Sequence, residues 1–333
     1  LWLLFGTIDE YKSKSVLIMW KKMKLKSMAV LLSSYNGEKY IGEQLDSIIK
    51  CYRDFDLHIH IRDDGSVDST CEIIKEYISK NDSIFLYEGD NVGVIASFLW
   101  LVENVGDYDY YAFCDQDDVW EPLKLIAATT KIIKYNQDIA IGYCSSYNYV
   151  DKELNHIGRY NSQSNFSLNN ILIENCAPGC TFVFNQSLRK LYLDINEANM
   201  ANRIVMHDWF FLILARTFGH LIYDHNSYLS YRQHDNNVVG IKSGFKNILC
   251  NRLKQFKKYK QNGRHLLSLQ MDLVSLYCLK HNKEAAYEIS HGFVESQASL
   301  VKRLRYVFSG YVKRVRFIDD VLFKVLFIIG WFK

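Results

Sequence analysis

Nearly half of the 333 residues (49%) are hydrophobic, only two are proline, and the net charge is +3. This composition supplies a sizeable core and argues against a disordered chain, a linker-rich chain or a polycation built for nucleic acid. The eight cysteines include no CxxC pair, the nearest two being Cys176 and Cys180. They argue against a zinc site and read as reduced, mostly buried thiols of a cytoplasmic protein.

No apolar run reaches the roughly 18 residues of a transmembrane helix. Leu1 to Phe5 is a poor signal peptide, being short and followed by Asp9 and Glu10. Residues 1–27 are set apart as an extension, with Met23 and Met28 as candidate starts ahead of the first strand.

Met28 to Ser33 is a continuous apolar run, the pattern of a strand covered on both faces. Ser34-Tyr35-Asn36-Gly37 ends it, and Glu38 to Lys50 reads as a helix burying Ile41, Leu45, Ile48 and Ile49. Leu57 to Ile61 alternates as a second strand and runs into Arg62-Asp63-Asp64-Gly65-Ser66; Asp68 or Ser69 can cap the helix that follows. Ile84 to Tyr87 is a third strand, and Asn91-Val92-Gly93 opens a helix carrying Phe98, Leu101 and Val102. Tyr110 to Cys114 is a fourth, after which a helix starts near Pro122 and runs to about Tyr135.

Strands alternating with helices over short connections predict right-handed βαβ units and a mainly parallel sheet. The loops 34–37, 62–66, 91–93 and 115–118 all follow strand C-termini and should converge on one edge, where open α/β sheets bind ligands. Neither GxxxxGK[ST] nor GxGxxG is present, so phosphates there would be handled by metal.

The fourth strand ends in Asp115-Gln116-Asp117-Asp118. Carboxylates packed this closely repel one another, and a divalent cation held through oxygen is one thing that makes the arrangement useful. The plain alternative is a solvated acidic loop.

Further on, Ile141 to Cys144 is a strand, and residues 155–169 form a long polar loop. Cys176-Ala177-Pro178-Gly179-Cys180 is a turn before the strand Thr181 to Phe184. Met206-His207-Asp208-Trp209 opens an apolar helix ending at Gly219, where Asp208 is either a cap or a functional acid. The strand Tyr228 to Tyr231 leads to Arg232-Gln233-His234.

From Phe245 the chain turns basic, in clusters at 252–264 and 302–316, and Val321 to Phe332 is an apolar tail too short to span a bilayer. This region reads either as a membrane-surface element on anionic lipid or as an ordinary helical cap.

Six of these pieces occur together over about residues 28–240. They are Leu31 to Ile41, Arg62 to Thr70, Asn91-Val92-Gly93, Asp115 to Trp120, His207-Asp208-Trp209 and Tyr231 to His234. In order and spacing the chain resembles the family 2 glycosyltransferases of GT-A fold, most of all the bacterial rhamnosyltransferase-type enzymes of surface polysaccharide assembly. The resemblance implies an α/β, Rossmann-like, mainly parallel sheet flanked by helices, with a basic helical appendage over 241–333. Residues 28–120 would be the nucleotide-sugar half and 121–240 the acceptor half.

It also implies inverting transfer of a sugar from a nucleoside diphosphate to a hydroxyl of a lipid-linked oligosaccharide, at the inner face of the membrane. L-Rhamnose from dTDP-L-rhamnose is favoured, with a UDP-hexose as the alternative donor. By resemblance Ser33, Tyr35, Glu38, Asp64, Asn91, Gly93 and Asp115 would serve the donor. Asp117, with His234, would hold Mn²⁺ or Mg²⁺, and Asp208 would be the general base. Pro178, Gly179, His207, Trp209 and Arg232 would meet the acceptor. The family often has an acidic residue where this chain has His207, which leaves that position's role open. A nucleotidyltransferase would want a basic glycine-rich loop after the first strand, which 33–37 is not. A catalytically idle scaffold is the non-enzymatic alternative.

Overall fold

The computed structural model describes residues 26–51, 55–195, 199–234, 260–261 and 264–333. The N-terminal extension to residue 25, most of the basic cluster at 252–264 and the expected boundary at 240/241 lie outside the described residues.

The expected alternation is present. Strands β1 (Ser27–Ser34), β2 (Asp56–Asp63), β3 (Ile84–Glu88) and β4 (Tyr110–Cys114) are separated by α1 (Ile41–Ile49), α2 (Thr70–Ile78) and α3 (Val94–Asn104). All three pairings among these strands are parallel. Met28, Val30 and Leu32 of β1 face one apolar layer, whereas Ala29 and Leu31 face another, so both sides of the strand are covered.

After β4 come β5 (Val119–Trp120), α4 (Lys124–Ile132), β6 (Ile141–Val150), β7 (His156–Tyr160), the short α5 (Leu168–Ile171) and β8 (Val183–Asn185). Next are α6 (Gln186–Leu193), α7 (His207–Phe218) and β9 (His220–Arg232). The sheet runs β3-β2-β1-β4-β8-β6-β9-β5, with β7 on β6. The strand order reverses beside β1, which pairs with β2 on one side and β4 on the other. A crevice opens at the carboxyl edge of such a switch point.

The elements differ from the sequence reading in three places. β6 and β9 pair in parallel along most of their length, far beyond Ile141–Cys144 and Tyr228–Tyr231. The polar stretch 155–169 contains β7. Between Pro178 and β8 the chain makes a turn of 3₁₀ helix, Gly179–Thr181, so the strand starts two residues later than expected.

A two-stranded ribbon of β10 (Lys260–Gln261) and β11 (Arg264–His265) leads into α8 (Leu266–Lys280), α9 (Glu284–Ser296), α10 (Leu300–Phe308) and α11 (Phe317–Ile328). These helices share the core. Tyr277 donates its hydroxyl to the Tyr192 carbonyl (2.7 Å), and Phe293, Tyr306, Phe323, Phe327 and Phe332 form one buried aromatic cluster. Arg303 is not a solvated charge of the basic cluster. It is buried, and its Nε donates to the Ile328 carbonyl (2.8 Å) at the end of α11. Among the described residues no helix is long and apolar enough to cross a membrane. The seven described cysteines are all free, and all but Cys71 are buried.

Candidate active site

The four loops at the carboxyl edge are stitched to one another. Tyr35 donates its amide to Gln116 Oε1 (2.8 Å) and accepts from Gln116 Nε2 (3.0 Å), clasping the loop after β1 to the loop after β4. Asn36 donates its amide to Ser66 Oγ, and Ser34 Oγ donates to Asp63 (2.9 Å each). Asp64 Oδ1 accepts from Arg62 and from the Val92 amide, while Oδ2 accepts from the Gly93 amide (2.9 Å). Gly93 has φ +86, a conformation glycine adopts without strain, and this turns its N–H toward Asp64 at the start of α3. Ser33 Oγ shares a hydrogen with Ser97 Oγ (2.6 Å), and Glu38 accepts from the Ser69 amide (3.0 Å). Ser33, Tyr35, Glu38, Asp64 and Gly93 are therefore held together at this edge, with Asn91 in the same loop as Gly93. Asp64 spends most of its accepting capacity on shaping it.

At the end of β4 the carboxylates take different environments. Asp118 is buried, with Oδ1 accepting from the Arg232 amide (3.2 Å), and burial drives its carboxyl well above the usual range. Burial, then the Asp117 and Asp208 carboxylates, push Asp115 up to about 7. Asp117 Oδ2 meets His234 Nε2 at 2.7 Å, and the Asp117 carbonyl is held by Arg232 Nε (2.9 Å). Beneath the cluster lies Lys124, wholly buried, its ammonium donating to the Cys180 carbonyl (2.6 Å) and sitting 4.5 Å from the centre of the Trp120 ring.

The chemistry of the donor set decides what this cluster could hold. Asp115, Asp118 and Cys180 bring ligand atoms within 4.8 Å of one another. A thiol is a soft ligand, however, which suits Mn²⁺ or Mg²⁺ poorly, and burial raises the Cys180 thiol well above its usual range. Hard oxygen donors in this group are supplied by Asp115 and Asp118; Asp117 and His234, the ligands expected from the sequence, pair with each other and are not part of it. Mutual repulsion among these acids is what a divalent cation would relieve. The residues fit such an ion.

Behind the carboxylates lies a pocket of about 700 Å³. Tyr147, Tyr149, Tyr160 and Tyr231 form one side, with Tyr147 stacked on Tyr160 at 4.8 Å; Trp209, Pro178 and Asn175 lie around Asp208. Asp208 stands in the first turn of α7 but does not cap it, because Met206 holds the cap position. Its Oδ1 instead accepts from the Trp209 amide (2.6 Å) and Asn175 Nδ2 (3.2 Å), and its Oδ2 from the Gly179 amide (2.8 Å). Burial raises the Asp208 carboxyl to about 6, against the opposing pull of those three donors. A carboxylate so placed is basic enough to take a proton and fixed enough to aim at one oxygen.

Gly179 is required by space. A Cβ there would come within 3.0 Å of Asp208 Cβ and 3.1 Å of His207 Nε2. Gly179→Ala should therefore displace Asp208 and lower kcat by about tenfold or more with donor affinity unchanged. Steady-state kinetics check this; an unchanged kcat would show that the carboxylate tolerates the shift.

Two expected acceptor contacts lie elsewhere. His207 is buried, its ring stacked on Phe98 (4.0 Å between centroids) and edge-on to Phe113 (5.0 Å). Burial drops its imidazole to about 3, so it is a neutral core ring rather than part of the pocket wall. The Arg232 guanidinium is also buried, bonded to Asp117, Lys152 and Glu43 and 4.6 Å from the centre of the Tyr40 ring. It fastens the acidic loop to β9.

Sequence reasoning passed over Gln116, Lys124 and Asn175. Only Lys124 left a signal, a lysine on the face of a helix otherwise buried through Leu125, Ala128, Thr129 and Ile132.

A family model described as glycosyl transferase family 2 matches residues 29–192. The dTDP-rhamnosyl transferase RfbG of Shigella flexneri is 35% identical over 224 residues, covering 65% of this chain and 75% of that protein. Glycosyltransferase GlyA of Streptococcus pneumoniae is 34% identical over 122 residues, 36% of this chain and 17% of its own length. Among solved structures, S. aureus TarS 1–349 in complex with UDP-GlcNAc superposes with a TM-score of 0.51 at 16% identity, covering 92% of this chain and 91% of that one. By fold, motif order and these matches, the chain belongs to glycosyl transferase family 2 and has the GT-A architecture.

Proposed function

We propose that the protein transfers one sugar, with inversion, from a nucleoside-diphosphate sugar to a hydroxyl of a lipid-linked saccharide in capsule, O-antigen or cell-wall polysaccharide synthesis. L-Rhamnose from dTDP-L-rhamnose is the favoured donor, supported by the name and 75% coverage of the Shigella relative. A UDP-hexose is the alternative. The observation that carries the reading is Asp208, held by three donors in a tyrosine-lined pocket and near enough to Asp115 for the two carboxylates to repel each other.

In this reading the loops after β1, β2 and β3 hold the nucleotide, and Asp115 lies against the ribose or the donor sugar. Asp117 with His234 holds Mn²⁺ or Mg²⁺, which when bound offsets the charge of the departing diphosphate. Asp208 takes the acceptor hydroxyl proton as that oxygen bonds to the anomeric carbon. The bond from that carbon to the diphosphate oxygen breaks on the opposite face. Trp209 and the Pro178-Gly179 turn position the acceptor, and the basic C-terminal helices rest on the anionic inner face of the membrane. The scaffold reading is disfavoured because Asp64, Asp115, Asp117 and Asp208 are all present and because Asp115 lies close enough to Asp117 and Asp208 for their charges to interact.

Release of dTDP from dTDP-rhamnose by purified protein, compared with the matching release from UDP-glucose, UDP-galactose and GDP-mannose, tests the class and the donor. One donor turned over well above the others is expected. No turnover of any in the presence of Mn²⁺ would favour the scaffold.

A further inference from the structure

The pocket has a second charged end that no step above uses. The segment joining α10 to α11 forms one wall and is fastened to the loop that carries Asn175. The Lys313 amide donates to the Asn169 carbonyl (3.1 Å), Asn170 Nδ2 to the Lys313 carbonyl (3.1 Å), and the Val315 amide to Glu174 (2.9 Å). Arg314 and Arg316 on this segment line the pocket, and Arg159 of β7 joins them. Glu174 pairs with Arg314 (3.2 Å) and offsets its charge, whereas Arg159, which donates to the His225 carbonyl, and Arg316 have no acid partner among the described residues. With Glu174, the buried Asp319 makes two acids on this wall against three guanidinium groups, which leaves the end positive. Arg314 Nε is buried and has no hydrogen-bond partner among the described residues.

Directly after Arg316, α11 divides its apolar residues between two faces. Phe323, Leu326 and Phe327 enter the core, while Phe317, Ile318, Val321, Val325 and Ile329 are exposed, Phe317 at 81%. The exposed set recurs at helical spacing and makes a stripe about 18 Å long at 1.5 Å per residue. Leu322 of the same helix and Arg316 at its start both line the pocket, so the stripe begins beside the cavity mouth.

Building on the lipid-linked acceptor proposed above, we infer that Arg159, Arg314 and Arg316 bind the diphosphate of a prenyl-diphosphate-linked saccharide. The exposed face of α11 then receives its prenyl chain. Guanidinium forks suit a diphosphate's charge and geometry, and an apolar stripe beside them suits the attached hydrocarbon. The saccharide is thereby threaded inward to Asp208.

Binding to the full chain, in EDTA so that no metal serves the donor edge, is to be measured for farnesyl diphosphate, farnesol and inorganic pyrophosphate. Wild type should bind farnesyl diphosphate more tightly than either part alone. Arg316 is exposed, so Arg316→Glu should fold. It should bind farnesyl diphosphate about tenfold more weakly or worse and farnesol unchanged. Val321→Asp should weaken farnesyl diphosphate and farnesol but not pyrophosphate. The inference is overturned if Arg316→Glu binds farnesyl diphosphate as wild type does. It is overturned equally if wild type does not bind it, or if pyrophosphate alone binds as tightly. Nucleotide-sugar binding with Mn²⁺ is followed in parallel. Its loss in wild type would sink the transferase reading, and its retention confines any failure to the acceptor site.

Discussion

Asp208→Asn is expected to lower sugar transfer by about 10²- to 10⁴-fold, the usual reach of a positioned general base, with donor affinity within about twofold of wild type. The substitution preserves shape but removes the proton acceptor. Because amide and side-chain donors approach both carboxylate oxygens, the new NH₂ must face one of them. A melting curve therefore accompanies the assay. Transfer retained in a folded variant would remove Asp208 as the base.

The same residue sets the pH dependence. Burial lifts its carboxyl to about 6, and only the ionised form accepts a proton, so kcat/KM should rise through about pH 6 and level off above it. Asn175→Ala deletes a donor to the charged form and should move that limb to higher pH. A purely structural role for Asn175 would lower the plateau without moving the limb. For stability the sign is opposite. An acid whose folded pKa exceeds its unfolded value favours the fold when protonated, so this contribution is present below the ordinary 3.8 and lost as pH rises through about 6.

Asp117→Ala should abolish most of the metal dependence of donor binding. The Asp117 carboxylate pairs with His234 at the acidic edge, and its backbone is fixed independently by Arg232, so the loop should keep its course. Titration of dTDP-rhamnose with Mn²⁺ and with EDTA should give a difference of at least about tenfold in wild type and little in the variant. An equal difference in both would place the cation elsewhere.

Much of this was legible in the chain because strand ends are abrupt. Apolar runs that stop at Ser34, Asp63 and Cys114 announce buried parallel strands, and parallel strands put their polar loops on one edge. Asp208 was legible as an acid opening an apolar helix. Side-chain destinations were not, because composition does not show which partner a polar group finds. His207 looked like a pocket residue beside Asp208, yet one step round α7 turns its ring into the Phe98–Phe113 layer. Arg232 reads from the sequence as an acceptor contact and is instead bonded to Asp117, Lys152 and Glu43. The C-terminal tail resisted a single reading because it serves two faces at once, core through Phe327 and exposed stripe through Val325. Removing residues 300–333 would thus uncover the aromatic cluster as well as the stripe, which is why point substitutions on the exposed face are the cleaner probe.

The central claim is that this edge binds a nucleotide sugar together with a divalent cation. Its most direct test is a thermal-shift panel of the purified chain against dTDP-rhamnose, UDP-glucose, UDP-galactose and GDP-mannose, with Mn²⁺ and with EDTA. A ligand at about 100 times its Kd adds roughly 2.7 kcal/mol, enough to see. The account predicts a shift with one donor, largest for dTDP-rhamnose, that disappears in EDTA. No shift with any of the four in the presence of Mn²⁺ would contradict it.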